Sequence, residues 1–73
     1  MSINKDEELK KLGNRIKELR IKNNLSISSI CYKHGMEPST FSRIERGIVE
    51  PKYLSLLQIS KSLKMDLSEV LKF

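Results

Sequence analysis

The chain has 73 residues, of which 38% are hydrophobic and 32% are charged, and its formal net charge is +5. This length predicts one small domain, residues 1–73, near the lower limit for a self-sufficient core. One cysteine excludes an internal disulfide, and one cysteine with one histidine cannot supply the four ligands of a structural zinc site.

No apolar run reaches transmembrane length and no secretory signal opens the chain. We therefore expect a cytoplasmic protein without a membrane partner. The positive charge favours a polyanionic partner, although many small soluble domains are mildly basic.

The first predicted helix covers about residues 5 to 22. Asn4, followed three residues later by Glu7, forms a capping-box signature. The apolar residues that follow are spaced by three and four and form one stripe: Leu9, Leu12, Ile16 and Leu19. We expect Asn23 and Asn24 to end the helix.

Residues 26 to 47 predict a helix, a sharp turn and another helix. Ser26 is a favourable N-cap residue, and Gly35 suits the left-handed position that ends a helix. Pro38 suits the first turn of the next helix, where a missing N–H has no cost. These are the dimensions of a helix-turn-helix.

The first helix of this motif has one face composed of Ile27, Ile30, Cys31 and His34. We expect Cys31 to be a small buried hydrophobic residue rather than a redox group. His34 is interpreted as a structural histidine near a helix end, with a ligand or a pH switch as the alternative.

The second helix of the motif has two chemically different faces. Phe41, Ile44 and Ile48 form the predicted inner face. The outer face carries Ser39, Ser42, Arg43 and Arg46. Small hydroxyl groups and a long, fork-shaped donor can reach base edges when such a helix enters the major groove. The spacing alone is equally compatible with an ordinary solvated face.

The apolar pattern of the residues after the motif predicts two more helices. After a loop and Pro51, a fourth helix of about residues 52 to 63 has an inward stripe of Tyr53, Leu56, Ile59, Ser60 and Leu63. Leu54 and Leu57 widen its apolar arc. Asp66 with Glu69 forms a second capping-box signature. It precedes a short apolar helix that contains Leu67, Val70, Leu71 and Phe73.

The sequence lacks the combinations that enzymes use. We find no paired carboxylates, no nucleophile–base set, no phosphate-binding loop and no cluster of metal ligands. We therefore predict that the protein is not an enzyme and needs no cofactor.

Several segments together resemble the Cro/C1-type (XRE-like) helix-turn-helix family of phage repressors and small bacterial regulators. They are LGNRIKELR (12–20), Leu25-Ser26, Gly35, PSTFSRIERG (38–47), Pro51 and LLQISKSLKMDLSEVL (56–71). The resemblance covers about residues 9 to 71. It implies an all-α, compact five-helix, lambda-repressor-like domain. It also implies a sequence-specific transcriptional regulator whose third helix enters the major groove of double-stranded DNA.

The resemblance also implies roles for individual residues. The implied base-reading positions are Pro38, Ser39, Ser42 and Arg43. We assign DNA phosphate contacts to Ser26, Arg46 and Lys52. Many relatives have glutamine where this chain has Ile27, which removes one polar DNA contact. The family pattern places Arg20 in contact with Glu45, so we expect a structural ion pair there.

We expect a homodimer on a pseudo-palindromic operator, because one helix-turn-helix covers only half of such a site. The predicted interface consists of Leu67, Val70 and Phe73, with Gln58 at its rim, while Leu71 completes the core. The alternative for Phe73 is that it folds back over its own first helix. Two other functions remain open: an antitoxin that also binds a toxin protein, and a controller protein of a restriction–modification system.

Overall fold

Five α-helices make up the part of the chain that the computed structural model describes, residues 2–73. They are α1 (Lys5–Lys22), α2 (Ile27–His34), α3 (Pro38–Glu45), α4 (Tyr53–Ser62) and α5 (Leu67–Val70). The described residues contain no strand, and the predicted all-α, five-helix fold is confirmed. The bounds of α1 agree with the prediction, and α4 is one residue shorter at each end.

Local signals in the sequence explain where the helices begin and end. The backbone N–H of Glu7 donates to Asn4 Oδ1 at 3.2 Å, and that of Ser29 donates to Ser26 Oγ at 3.1 Å. Gly35 ends α2 in the left-handed conformation, with φ 66°. The chain also turns through positive φ at Asn24 and Lys64, so the predicted breaks after α1 and α4 are confirmed.

One hydrophobic core receives side chains from all five helical segments. Its buried members are Ile16, Leu19, Ile30, Cys31, Phe41, Ile44, Ile59, Leu63 and Val70. Each large aliphatic or aromatic side chain buried in this way contributes about 1.5–3 kcal/mol relative to an exposed one. Because α3 supplies both Phe41 and Ile44, its position is fixed by the centre of the core.

Two glycines allow α1 to lie directly against the end of α3. A Cβ atom added at Gly13 would lie 2.5 Å from the carbonyl oxygens of both Ile44 and Glu45. One added at Gly47 would lie 2.8 Å from the Cα of Lys10, and Gly47 also has φ +73°. No other residue type fits these contacts without a shift of backbone, so the two helices have one fixed spacing.

Two residues predicted to face inward are exposed. Ile48 is 58% exposed, because α3 ends at Glu45 and Gly47 turns the chain before the stripe reaches Ile48. Tyr53 is 64% exposed, since it begins α4 beyond the edge of the core. The apolar spacing of a helix therefore does not predict burial for a residue beyond the end of the helix or for the first residue of the helix.

The short helix α5 is held by α1. Asp66 is its N-cap residue but makes no side-chain capping bond, contrary to the predicted capping box. Instead, Arg15 of α1 donates from Nε to the carbonyl oxygen of Val70 at 3.1 Å and from Nη2 to that of Glu69 at 2.8 Å. None of the described helices combines the length and apolar character needed to cross a bilayer.

Candidate nucleic-acid interface

The helix α3 presents one polar face to solvent. Phe41, Ile44 and Glu45 are buried, whereas Pro38, Ser39 and Arg43 are exposed and Ser42 is half-buried. We call Pro38, Ser39, Ser42 and Arg43 the reading face. The structure therefore brings the four predicted base-reading residues together on one accessible surface.

The turn before α3 sets the direction of this face. After Gly35, the backbone N–H of Met36 donates to the carbonyl oxygen of Cys31 at 3.2 Å, and Pro38 starts α3 two residues later. Cys31 is buried against the core as expected. Burial raises the pKa of its thiol, and the negative charge of Glu45 raises the pKa further. The thiol is therefore a neutral packing group.

The predicted ion pair lies beneath the reading face. Arg20 Nε lies 2.6 Å from Glu45 Oε2, and Arg20 Nη2 lies 3.2 Å from Glu45 Oε1. Arg20 also donates from Nη1 to the carbonyl oxygen of Leu25 at 2.9 Å. The side chains are 13% and 5% exposed, so a fork-shaped donor satisfies a carboxylate that is almost fully removed from water.

The residues assigned to phosphate contacts do not lie in one place. Arg46 borders a groove of about 500 Å³ between α1 and α3, and Lys52 borders another of about 370 Å³ beside Arg43. Ser26 borders neither of these grooves; it is exposed and its Oγ caps α2. A cation thus stands on each side of α3, while Ser26 has a structural role in its own helix.

Sequence reasoning missed part of this surface. Lys10, Asn14 and Lys17 of α1 line the groove opposite Ser42 and Arg46. We call this the α1–α3 groove. The spacing i, i+4, i+7 indicated a shared helix face. Only the tertiary structure shows that this face adjoins α3.

The predicted dimer residues are placed differently from one another. Val70 is fully buried in the core, so its assignment to an interface is wrong. Leu67 and Gln58 are half-buried. Leu71, predicted to complete the core, is 45% exposed. Phe73 is 59% exposed and borders a groove with Leu9 and Leu12 of α1.

The inward and outward faces of α3, the sharp turn and the five-helix core define a lambda-repressor-like helix-turn-helix domain. The chain is similar to the restriction–modification controller protein C.AhdI from Aeromonas hydrophila, with a TM-score of 0.82 and 27% identity. The match covers 86% of this chain and 96% of C.AhdI. It supports the predicted resemblance at the level of the fold.

Comparison by sequence gives no further assignment. No family model matches the chain, and no curated protein matches it. Among residues 2–73, no group of three or more histidine, cysteine, aspartate or glutamate side chains is placed to hold a metal ion.

Proposed function

We propose that the protein is a sequence-specific DNA-binding transcriptional regulator that inserts α3 into the major groove as a homodimer. The observation that carries this proposal is the exposed reading face on a helix whose opposite face is buried in the core. The buried face fixes α3 to the core, and the opposite, exposed face points to solvent. This is the geometry required for contact with base edges.

Each member of the reading face suits a different contact. Arg43 has the reach and the two parallel donors that match O6 and N7 of guanine. Ser39 and Ser42 have hydroxyl groups that donate or accept, and Pro38 packs against apolar groups such as a thymine methyl. Arg46 and Lys52, one on each side of α3, bind phosphates and set the register of the helix without reading sequence.

The dimer explains how a 73-residue chain reads enough sequence to be selective. Two half-sites with centres about 34–36 Å apart match one turn of DNA. With Val70 in the core, the proposed interface consists of Phe73, Leu67 and Gln58 together with Leu71, whose exposure places it on the surface. Phe73 and Leu71 supply the apolar contact area.

Among regulators of this fold, we propose a controller of a restriction–modification system. The similarity to C.AhdI along 86% of this chain and 96% of that protein favours this role. As a controller, the protein would act through its DNA operator. An antitoxin would instead co-purify with the product of a neighbouring gene.

Selection of bound DNA from a random pool tests the proposal. We expect enrichment of a pseudo-palindrome with half-sites about one helical turn apart. The matched control is the double variant Ser39→Ala/Arg43→Ala, which alters only exposed or outward groups and should enrich no defined sequence. A parent chain that enriches nothing above the control would contradict DNA recognition by this face.

A further inference from the structure

We propose that Lys10 and Lys17 of α1 bind the sugar–phosphate backbone of DNA in the α1–α3 groove. This inference rests on the proposed function and names a second DNA-binding element, one outside the helix-turn-helix. The two lysines and Asn14 form one wall of the groove, and Ser42 and Arg46 form the other. Both lysines are exposed.

Three of the four cationic residues that line this groove are not neutralised by the protein. Four salt bridges occur among residues 2–73, and none includes Lys10, Lys17 or Arg46. The acidic lining residue, Glu45, is held by Arg20 in a bidentate pair. A groove with three unpaired cations and one satisfied carboxylate attracts a polyanion.

Two of the other lysines of α1 lie beside carboxylates. Lys11 lies 3.3 Å from Glu8, and Lys5 lies 3.6 Å from Glu50. Carboxylates therefore accompany these two lysines, whereas Lys10 and Lys17, like Lys22 at the end of the helix, form no salt bridge within residues 2–73. Lys10 and Lys17 differ from Lys22 because they line one groove together with a third cation, Arg46, and this clustering points to a ligand for the groove.

The groove is continuous with the reading face, because Ser42 belongs to both. If the base edges of a duplex contact α3, one strand of that duplex passes close to the wall of the groove that α1 forms. Lys10 and Lys17 are separated by about 10 Å along the helix axis. That distance allows each ammonium group to contact a different phosphate of the same strand.

The spacing of the two walls is fixed before DNA arrives. Gly13 and Gly47 lie on the contact between α1 and α3, where an added Cβ would come within 2.8 Å of backbone atoms on the other side. The walls therefore move as one unit, and binding requires little reorganisation. The lysine side chains alone need to be ordered.

The test compares Lys10→Ala/Lys17→Ala with the parent chain on the selected operator and on an unrelated duplex, across a range of salt concentrations. Each lost phosphate contact lowers the slope of log K against log salt by about 0.9, so a dimer that loses four contacts should lose about 3.6. The ratio of affinities for the two duplexes should stay constant, since phosphates carry no sequence information.

The matched control is Lys22→Ala/Lys61→Ala, which removes the same charge from two exposed helical lysines outside the groove. Circular dichroism should show that both double variants are folded. We expect the control to keep nearly the parental salt slope. Equal slopes for the two double variants would overturn the lysine assignment while leaving the proposed function intact. A parent chain that binds neither duplex would overturn both.

Discussion

Arg20 of α1 and Glu45 at the end of α3 form a bidentate ion pair with distances of 2.6 and 3.2 Å. The carboxylate lies on the buried side of α3, next to the core residues Phe41 and Ile44. The pair thus joins the first helix of the fold to the helix that carries the reading face.

Glu45→Ala should reduce the free energy of unfolding by about 3–5 kcal/mol, because it leaves the Arg20 guanidinium buried without its partner. Such a loss is a large share of the stability of a small domain. Urea unfolding followed by circular dichroism measures it. Glu50→Ala is the control, since Glu50 pairs with Lys5 on the exposed surface and its loss should change little. Similar midpoints for the parent and Glu45→Ala would refute a structural role for the pair.

Gly13→Ala should destabilise the protein, although alanine is normally the better helix former. The added methyl group would lie 2.5 Å from two backbone oxygens of α3, and such overpacking costs about 1–3 kcal/mol. Glu18→Ala, at an exposed position of the same helix, is the control and should be neutral or slightly stabilising. A thermal midpoint for Gly13→Ala at or above that of the parent would show that the contact is looser than described.

Arg43→Ala should relax base preference at one position of each half-site, at a cost of about 1–3 kcal/mol for the preferred sequence. Lys52→Ala should instead weaken binding to all sequences alike and flatten the salt dependence. Repeating the selection from a random pool with each variant distinguishes the two effects. An unchanged selected sequence after Arg43→Ala would mean that another group reads the bases.

Phe73→Asp combined with Leu71→Asp should give a folded monomer with greatly reduced operator affinity. Both side chains are exposed, so their replacement leaves the core intact. Val70→Asp is the contrasting variant and should unfold the protein, because it places a charge in the core. Sedimentation and circular dichroism distinguish these outcomes. A double variant that remains dimeric would require another interface.

The free energy of unfolding should depend on pH in the alkaline range because of Cys31. Burial, and to a smaller extent Glu45, raise its folded-state pKa, so its contribution is fully present below the ordinary thiol pKa of 9.0, which applies to the unfolded chain. As pH rises above that value, the unfolded chain releases the proton while the folded thiol keeps it, and stability falls. Between pH 7 and 10, the parent should lose stability more steeply than Cys31→Ala. Parallel pH profiles would exclude this linkage.

Much of the fold was predictable because local signals and tertiary demands agree. Asn4, Ser26 and Gly35 act at helix ends as their chemistry indicates, and Phe41 and Ile44 occupy the predicted inner face of α3. The family resemblance supplied the Arg20–Glu45 pair, since no periodicity relates residues 25 positions apart.

The prediction of which residues are buried was wrong in α5, because this helix is too short to show a periodic pattern. The helix α5 has four residues, barely one turn, so the sequence could not decide which of Val70 and Leu71 faces inward. The tertiary structure decides it, because Val70 packs in the core and Arg15 of α1 donates to the carbonyl oxygens of Glu69 and Val70. The α1–α3 groove was missed for a related reason, because it joins residues from helices that are adjacent only in the folded chain.

The two hydrogen bonds from Arg15 to the carbonyl oxygens of Glu69 and Val70 have a consequence for genetics. A single helical turn is not stable by itself, so the segment that precedes Leu71 and Phe73 depends on these two hydrogen bonds as well as on the burial of Val70 in the core. A screen for loss of repression or activation should therefore recover substitutions at Arg15. If the protein acts as the proposed homodimer, these mutants would assemble poorly although the altered residue reads no base, and overexpression should restore their activity by mass action.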